Sequence, residues 1–222
     1  MLLGEPKPDI SSVVENYMQA FYKLKEQGIK LSVIHVAEAM GVSPATVVGT
    51  MKRLSRQELV TMSATKEIIL TPNGEALGQA VVRRHRLAER MLVEILNLDW
   101  HKAHREAHRL EHAISPDVEE RIAHTLNYPK TNPYGKPIPG YYDLKQPDKN
   151  LIDCPLGKMA LIEQVPEDDQ QLLKFFEDNG IKPGTAVKVK EIASYKGTVT
   201  VSVDDKDVIL GFEVSTKIKI QT

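Results

Sequence analysis

The chain has 222 residues, more than one compact core usually contains, so its length predicts two or three small domains. Apolar residues make up 41% and charged residues 27% of the sequence, a composition that excludes a collagen-like or wholly disordered chain. No apolar run approaches the roughly 20 residues of a membrane span, and a single cysteine excludes an intramolecular disulfide. We therefore expect a cytoplasmic protein without a membrane partner.

The formal net charge of −1 excludes a nucleic-acid binder that relies on bulk positive charge. Residues 1–73, for example, contain 8 Lys and Arg against 7 Asp and Glu. Any contact with DNA must therefore depend on where individual Lys and Arg side chains lie.

The N-terminal region is predicted to contain three helices. Residues 10–26 have apolar side chains spaced mostly at three and four, the period of an amphipathic helix. Ser32 is placed to cap a second helix over residues 33–40. Ser43 is placed to cap a third helix that begins at Pro44, where proline has no hydrogen bond to lose. The last two helices and their short connection indicate a helix-turn-helix.

Two short apolar runs, residues 59–62 and 67–70, follow the helix-turn-helix and predict a hairpin. A hairpin at this place is a wing, so residues 1–73 are interpreted as a winged helix. A small α+β module without a DNA role remains the alternative. In a helix-turn-helix the second helix enters the major groove. The residues expected to face DNA are Ser43, Pro44, Ala45, Thr46 and Thr50, with Lys52 and Arg53 as phosphate contacts.

The remaining two thirds of the chain change character twice. Residues 74–126 are strongly helical, whereas residues 128–140 contain four prolines and predict an extended loop. Residues 146–154 are interpreted as a linker. Residues 157–222 contain short, largely alternating strands and one helix, residues 169–179, which together predict a small β-barrel.

Histidines and glutamates form the pattern that points to chemistry. Three of the seven histidines follow one another at four-residue spacing, which places them on one face of a helix, and a glutamate joins that face. The preceding helix adds a histidine and a glutamate four residues apart. Imidazole and carboxylate groups on two adjacent helices are typical of a metal site. The candidate ligands are His85, Glu89, His104, His108, Glu111 and His112.

Other interpretations of the same residues stay open. The histidines could form the solvated face of a charged helix. A hydrolytic metal site is less favoured, because the segment lacks the H-E-x-x-H order and Arg105 stands where a catalytic carboxylate would be needed. Cys154 is interpreted as structural. The remaining histidines are expected to be surface or packing residues: His35, His101 and His124.

These motifs resemble the diphtheria toxin repressor family of metal-dependent transcriptional regulators, which includes iron-dependent and manganese-dependent members. The resemblance covers nearly the whole chain. It rests on the winged helix and on four segments: residues 14–17, 84–90, 104–112 and 132–140. The last two are long and unusual enough that chance is a poor explanation.

The resemblance implies a mainly α, multidomain fold. Residues 1–73 would form the N-terminal winged helix-turn-helix domain, and residues 74–145 a helical dimerisation and metal-binding domain. After the linker at residues 146–154, residues 155–222 would form a C-terminal SH3-like β-barrel of the FeoA-like type.

The resemblance also implies two metal sites. One set of ligands, carried over by position, comprises Asn16, His108, Glu111 and His112. The second set comprises His85, Glu89 and His104, to which the barrel domain can add Glu167 and Gln170, with Asp168 as a substitute.

Two positions depart from the family's patterns. Iron-sensing members tend to have Met at the position of Asn16 and Cys at the position of His108, whereas manganese sensors tend to have acids at both. An amide oxygen and an imidazole do not choose between Fe(II) and Mn(II), although the absence of a sulfur ligand slightly favours manganese. The implied cofactor is Mn(II) or Fe(II), which Co, Ni or Zn can replace in vitro.

The implied function is that of a homodimeric repressor that binds palindromic double-stranded operator DNA when metal is plentiful, and thereby regulates metal homeostasis genes. No organic small-molecule substrate is expected. The alternative is a metalloenzyme or metal buffer with an accessory winged-helix domain. A catalytic site would need a base beside an open coordination position. The sequence offers no separate base, so we do not expect an enzyme.

Overall fold

A computed structural model describes residues 10–142 and 146–222 of the chain. It divides into two compact units, with the boundary between Arg84 and His85. The first unit contains a winged helix and most of the long helix that follows it. The second unit contains the end of that helix, the remaining helices and an antiparallel sheet. Within the described ranges, no helix combines the length and apolar character needed to cross a membrane.

Three helices build the winged helix in the predicted order. Helix boundaries follow from local capping: the side chain of Ser32 accepts a hydrogen bond from the amide of His35, and Ser43 accepts one from the amide of Thr46. Gly41 ends the second helix in the left-handed conformation, at φ 64°. The helices are α1 (Ser12–Glu26), α2 (Val33–Met40) and α3 (Pro44–Arg56).

The predicted wing is present as β1 (Val60–Met62) and β2 (Ile68–Leu70), which pair antiparallel. Each strand begins one residue later than the apolar run that predicted it. The wing is attached to the helices by a hydrogen bond from the amide of Ile68 to the carbonyl of Leu31, 2.9 Å. Apolar side chains from all three helices and from the wing form one core. This core fixes α3 on the surface of the unit.

The helical domain begins with α4 (Pro72–Arg90), which continues as a π-helical turn over Met91–Ile95. The break predicted at residues 97–99 follows, with Asn97 at φ 51°. Next come α5 (Trp100–Leu110) and α6 (Pro116–Thr125). The proline-rich loop then contains one antiparallel bridge, between Thr131 and Pro137.

The C-terminal sheet has six antiparallel strands. They are β3 (Lys149–Asn150), β4 (Met159–Gln164), β5 (Ala186–Ala193), β6 (Thr198–Val203), β7 (Lys206–Gly211) and β8 (Lys219–Gln221). Their order in the sheet is β3-β8-β4-β5-β6-β7. Alternate side chains of the strands are buried in one core, as the sequence pattern predicted. Two helices accompany the sheet, α7 (Gln170–Asp178) and the short α8 (Phe212–Ser215).

The structure differs from the predicted linker at residues 146–154. Lys149 and Asn150 form β3 and pair with β8, and the following residues Leu151 and Cys154 are buried in the core of the sheet. The segment has a polar composition, so its sequence did not predict the two-residue edge strand β3, which is stabilised by pairing with β8. The burial of Cys154 agrees with a structural role. The other domain boundaries stay predictions.

One glycine controls how the proline-rich loop approaches β4. Gly135 has φ +89°, and a Cβ atom placed there would overlap the carbonyl oxygen of Glu163. Beside it, the amide of Val165 donates to the carbonyl of Tyr134 at 3.0 Å. The loop therefore lies in backbone contact with the C-terminal sheet.

We predict that Gly135→Ala destabilises the protein by about 2–5 kcal/mol, because it combines left-handed strain with overpacking. Gly157→Ala is the matched control: Gly157 also has a positive φ, but a Cβ atom added there would meet no atom within 4 Å, so about 1–2 kcal/mol is expected. Denaturant unfolding of both variants measures the difference. Equal losses would show that the close approach at Gly135 is not a constraint.

Candidate metal centre and nucleic-acid interface

Four candidate ligands of the second unit come from the helices α4 and α5. His85 and Glu89 occupy the last turns of α4, and His104 lies on the inner face of α5. Glu111 caps the C-terminus of α5. All four side chains are buried. Burial of this many ionisable groups requires that they compensate one another or bind an ion.

His85 links two carboxylates. Its Nδ1 atom lies 2.6 Å from Oε2 of Glu111, and its Nε2 atom lies 2.9 Å from Oε1 of Glu89. The two glutamates come from different helices, so the imidazole joins the end of α4 to the end of α5. The two predicted ligand sets are thus in contact through His85.

His104 lies on the other side of Glu89. Its Nδ1 atom is 2.7 Å from Oε1 of Glu89 and 3.2 Å from Nε2 of His85. The rings of His85, His104 and His108 contact one another with centroid separations of 4.4–4.9 Å. His108 lies on the solvent-facing side of this group, with 41% of its side chain exposed.

The C-terminal domain contributes an acid to the same place. Glu167 is buried, and its Oε2 atom accepts a hydrogen bond from the side-chain amide nitrogen (Nδ2) of Asn132 at 2.9 Å. The same amide donates to Oε2 of Glu89 at 2.7 Å. Asp168 is exposed, and its Oδ1 atom lies 3.6 Å from Nε2 of His104. Gln170, the predicted partner of Glu167, is the first residue of α7 and half-buried.

Electrostatics keep the two helix-borne carboxylates charged. Burial alone raises the pKa of Glu89, but the charge of His85 and hydrogen bonds from both histidines outweigh it, so the pKa lies well below its usual value. Burial likewise raises the pKa of Glu111, and hydrogen bonds from His108 and His85 bring it well below its usual value. Both side chains are therefore anionic at neutral pH.

His104 shows the complementary effect. Burial disfavours its charged form, but hydrogen bonds to Asp168 and Glu89 raise the pKa of His104 to about 9. Without a metal, a proton on His104 thus compensates part of the carboxylate charge. Metal binding to this imidazole would release that proton.

These groups fit a divalent metal. One nitrogen or oxygen atom from each of Glu89, His104 and Glu167 lies within 4.8 Å of the others. The same is true of His85, His104 and His108. Imidazole nitrogen with carboxylate oxygen suits Mn, Fe and Zn. The site can therefore hold a cation. Without metal, the carboxylates must be compensated by protons and by Lys136, whose ammonium nitrogen lies 3.5 Å from Oε1 of Glu167.

The other predicted set is only partly assembled. His108 Nδ1 lies 3.3 Å and His112 Nε2 lies 3.4 Å from Oε1 of Glu111. The expectation that His112 continues the helical face was wrong, because α5 ends at Leu110 and His112 lies in the turn beyond its cap. Asn16 is an exposed residue of α1 in the first unit, and its assignment as a ligand stays a prediction.

Sequence reasoning did not assign a site role to Asn132, Tyr134 or Lys136. The hydroxyl of Tyr134 donates to the carbonyl of Trp100 at 2.9 Å and accepts from the amide of His104 at 3.1 Å, so it holds the start of α5. Burial, with the charges of Glu89 and Glu167, raises the pKa of Tyr134 far above its usual value. The only signal was their place in the unusual loop motif of residues 132–140.

The candidate DNA-binding face is the exposed side of α3. Ser43 is occupied in capping, since its Oγ atom lies 2.8 Å from Oγ1 of Thr46 and accepts from that residue's amide. Thr50 is half-buried and donates to the carbonyl of Thr46 at 3.1 Å. Arg53 hydrogen-bonds the Ser11 hydroxyl at the start of α1. The exposed predicted contacts are Ser43, Pro44, Ala45, Thr46, Lys52 and Arg53.

Two further residues of α3 share this exposed side. Val48 and Gly49 lie between Thr46 and Thr50 in the sequence, and both are exposed. The sequence analysis assigned no role to either residue. An exposed valine on a helix that enters the major groove can contact a thymine methyl group.

Family models match three consecutive parts of the chain. Residues 9–68 match the N-terminal DNA binding domain of iron dependent repressors, and residues 71–140 match their metal binding and dimerisation domain. Residues 149–222 match the FeoA domain. The chain therefore has a DNA-binding domain, a helical metal and dimerisation domain, and an SH3-like domain.

Relatives match over almost the whole length. The iron-dependent repressor IdeR of Mycobacterium leprae is 33% identical over 96% of this chain and 98% of its own. The diphtheria toxin repressor of Corynebacterium efficiens is 34% identical over 89% of this chain and 93% of its own. A solved manganese-dependent transcriptional repressor in complex with manganese is 30% identical, with a TM-score of 0.85 over 94% of this chain and 99% of its own. The chain therefore belongs to the diphtheria toxin repressor family of metal-dependent transcriptional regulators.

Proposed function

We propose that the chain is a cytoplasmic, metal-dependent transcriptional repressor that binds palindromic operator DNA as a homodimer when Mn(II) or Fe(II) is bound. Genes of metal homeostasis are its proposed targets. The observation that carries the proposal is a buried group of imidazoles and carboxylates in a chain that also presents an exposed recognition helix, α3. The relatives are named as iron-dependent or manganese-dependent repressors, which supports both the metal dependence and the repressor function.

The proposed metal sites share a boundary at His85. One site comprises His85, Glu89 and His104, with Glu167 and the neighbouring Asp168 from the C-terminal domain; Gln170 is a weaker candidate. The other comprises His108, Glu111 and His112, with Asn16 as the predicted fourth ligand. Because His85 contacts both Glu89 and Glu111, filling one site changes the electrostatic field in the other.

A bound divalent cation would supply two positive charges to groups that otherwise depend on a proton and on lysine. The side chains of the protein supply the ligands and orient them. Glu89 and Glu111 are already anionic, so they are ready to bind. Asn132 orients Glu89 and Glu167 by donating one hydrogen bond to each. Deprotonation of His104 makes its Nδ1 or Nε2 atom available as a ligand.

Metal can regulate DNA binding only if it binds the DNA-competent state more tightly than the incompetent state. The ratio of these two affinities limits the switch: moving the population from 1:99 to 99:1 requires a difference of roughly ten-thousandfold. Two sites that act in the same direction reach such a ratio more easily than one. Two sites per chain in a homodimer are therefore consistent with a steep response to metal.

The chain is a transcriptional regulator and not an enzyme, as the family to which it belongs consists of repressors. The alternative function to be distinguished from a repressor is that of a metal buffer. A buffer would bind metal without changing its affinity for DNA, whereas a repressor must couple the two. Coupling between metal binding and DNA binding therefore distinguishes the two functions.

We expect DNA binding to require divalent metal. A gel shift on the region upstream of the protein's own gene, measured anaerobically with and without Mn(II) or Fe(II), should show a complex only with metal. A chelator should reverse it. Equally tight binding by the metal-free protein would contradict the repressor switch.

Glu89→Gln should weaken Mn(II) binding at its site by roughly a hundredfold or more, because it removes an anionic ligand that two histidines contact. Counting free Mn(II) by electron paramagnetic resonance measures the loss, and circular dichroism verifies the fold. Glu191→Gln is the control, since Glu191 is an exposed glutamate on β5. Unchanged Mn(II) binding by folded Glu89→Gln protein would remove Glu89 from the site.

Lys52→Ala should weaken operator binding and lower the slope of log affinity against log salt by about one, as expected for the loss of one phosphate contact. Thr46→Ala should lower affinity mainly for the specific sequence. Lys190→Ala, an exposed lysine of β5, is the control. If neither α3 variant changed operator affinity, the recognition surface would lie elsewhere, while metal binding should be unaltered in all three.

A further inference from the structure

Glu167 uses its two carboxylate oxygens differently. Oε2 accepts a hydrogen bond from Asn132, whereas Oε1 lies 3.5 Å from the ammonium nitrogen of Lys136. Glu167 is buried, and 22% of the Lys136 side chain is exposed. The lysine is thus a cation that stands beside a metal-ligand candidate and still reaches solvent.

The hydrogen bonds of Asn132 determine which carboxylate oxygens of Glu89 and Glu167 are available to a metal. Its side-chain oxygen accepts from the amides of Tyr134, 3.1 Å, and Lys136, 2.8 Å, so its amide nitrogen must point the other way. That nitrogen donates to Oε2 of Glu89 and to Oε2 of Glu167. The oxygens directed elsewhere are both Oε1 atoms. Glu89 Oε1 contacts His85 and His104, and Glu167 Oε1 faces Lys136.

The backbone of Lys136 is held in place while its side chain has room to move. The backbone amide of Lys136 donates to the side-chain oxygen of Asn132. The backbone carbonyl of Lys136 accepts from the backbone amide of Asn132 at 2.8 Å. Both hydrogen bonds use main-chain atoms of Lys136, so the ammonium group can leave Glu167 without breaking them.

A divalent cation between Glu89, His104 and Glu167 would need the oxygen that Lys136 faces. The two positive charges would repel each other across a few ångströms, in a place where water screens them weakly. We propose that Lys136 is a resident counter-cation of Glu167 that metal must displace, so that this lysine sets how much metal is needed to fill the site. This inference rests on the proposed function, because it takes Glu89, His104 and Glu167 as metal ligands.

Removing the charge of Lys136 should have opposite effects on the two states of the protein. The metal-free protein would lose one of the positive charges that compensate the buried carboxylates, which should lower its melting temperature. The same change should remove a competitor and raise the Mn(II) affinity of this site by about tenfold or more, given the strength of charge interactions in partly buried sites. A lysine that was merely structural would lower stability in both states and leave affinity unchanged or reduced.

The test compares full-length wild type, Lys136→Met and Lys136→Arg by Mn(II) titration, with free Mn(II) counted by electron paramagnetic resonance, and by thermal unfolding with and without Mn(II). The step of the titration that belongs to this site is identified as the one lost in Glu167→Gln. Lys136→Met should show tighter binding in that step, a lower melting temperature without metal and a larger stabilisation by metal. Lys136→Arg keeps the charge and should resemble wild type.

Lys130→Met is the matched control, because Lys130 is an exposed lysine of the same segment, and it should change neither quantity. Unchanged or weaker Mn(II) binding in that step for Lys136→Met would overturn the proposal. If Lys136→Met does not fold, Lys136→Gln is measured with the same expectations. If Glu167→Gln loses no step although wild type binds Mn(II), the assignment of Glu167 as a ligand fails, and the inference about Lys136 fails with it. If wild type binds Fe(II) but not Mn(II), the same variants are titrated anaerobically with Fe(II). If wild type binds neither ion, the proposed function itself fails.

Discussion

The contact of His85 with Glu89 and Glu111 is the interaction on which the second unit depends. Two anionic side chains, both fully buried, lie within 3 Å of one imidazole. Buried charges are costly unless they are paired and hydrogen-bonded. The ends of α4 and α5 are therefore held together by an electrostatic arrangement that is complete only when enough positive charge is present. This is a suitable basis for a metal sensor, since the missing charge can be supplied by the ion that is sensed.

The loop of residues 131–140 and the C-terminal sheet extend this arrangement. Asn132 places Glu167 beside Glu89, and Tyr134 anchors the start of α5, the helix that carries His104. Gly135 allows the loop to reach the backbone of β4. An acid from the SH3-like domain thus lies beside the proposed metal ligands of the helical domain. A metal bound there would hold these two domains together as well as compensate charge.

Part of the site could be predicted from the sequence because helical periodicity is a local property. The four-residue spacing of His85 with Glu89, and of His104 with His108, placed each pair correctly on one helix face. The same spacing failed at His112, because α5 ends at Leu110, before His112 is reached. Periodicity cannot reveal where a helix ends when no glycine or proline marks the position.

Long-range contacts account for what sequence reasoning missed. Nothing local indicates that Asn132 bridges carboxylates that are 43 and 35 positions away, or that Lys136 faces one of them. The two-residue strand β3 is likewise defined by its pairing with β8, in which Lys149 lies opposite Ile220. The winged helix was predicted well because its caps, its turn glycine and its hairpin are all short-range features.

Binding of a divalent metal where the buried imidazoles and carboxylates converge is tested most directly by anomalous diffraction. Crystals of the Mn(II)-loaded protein would be measured near the manganese absorption edge. We predict a strong peak within coordination distance of Glu89, His104 and Glu167, and a second one beside His108 and Glu111. Peaks confined to exposed acidic residues, with the buried cluster unchanged and without metal, would contradict this assignment.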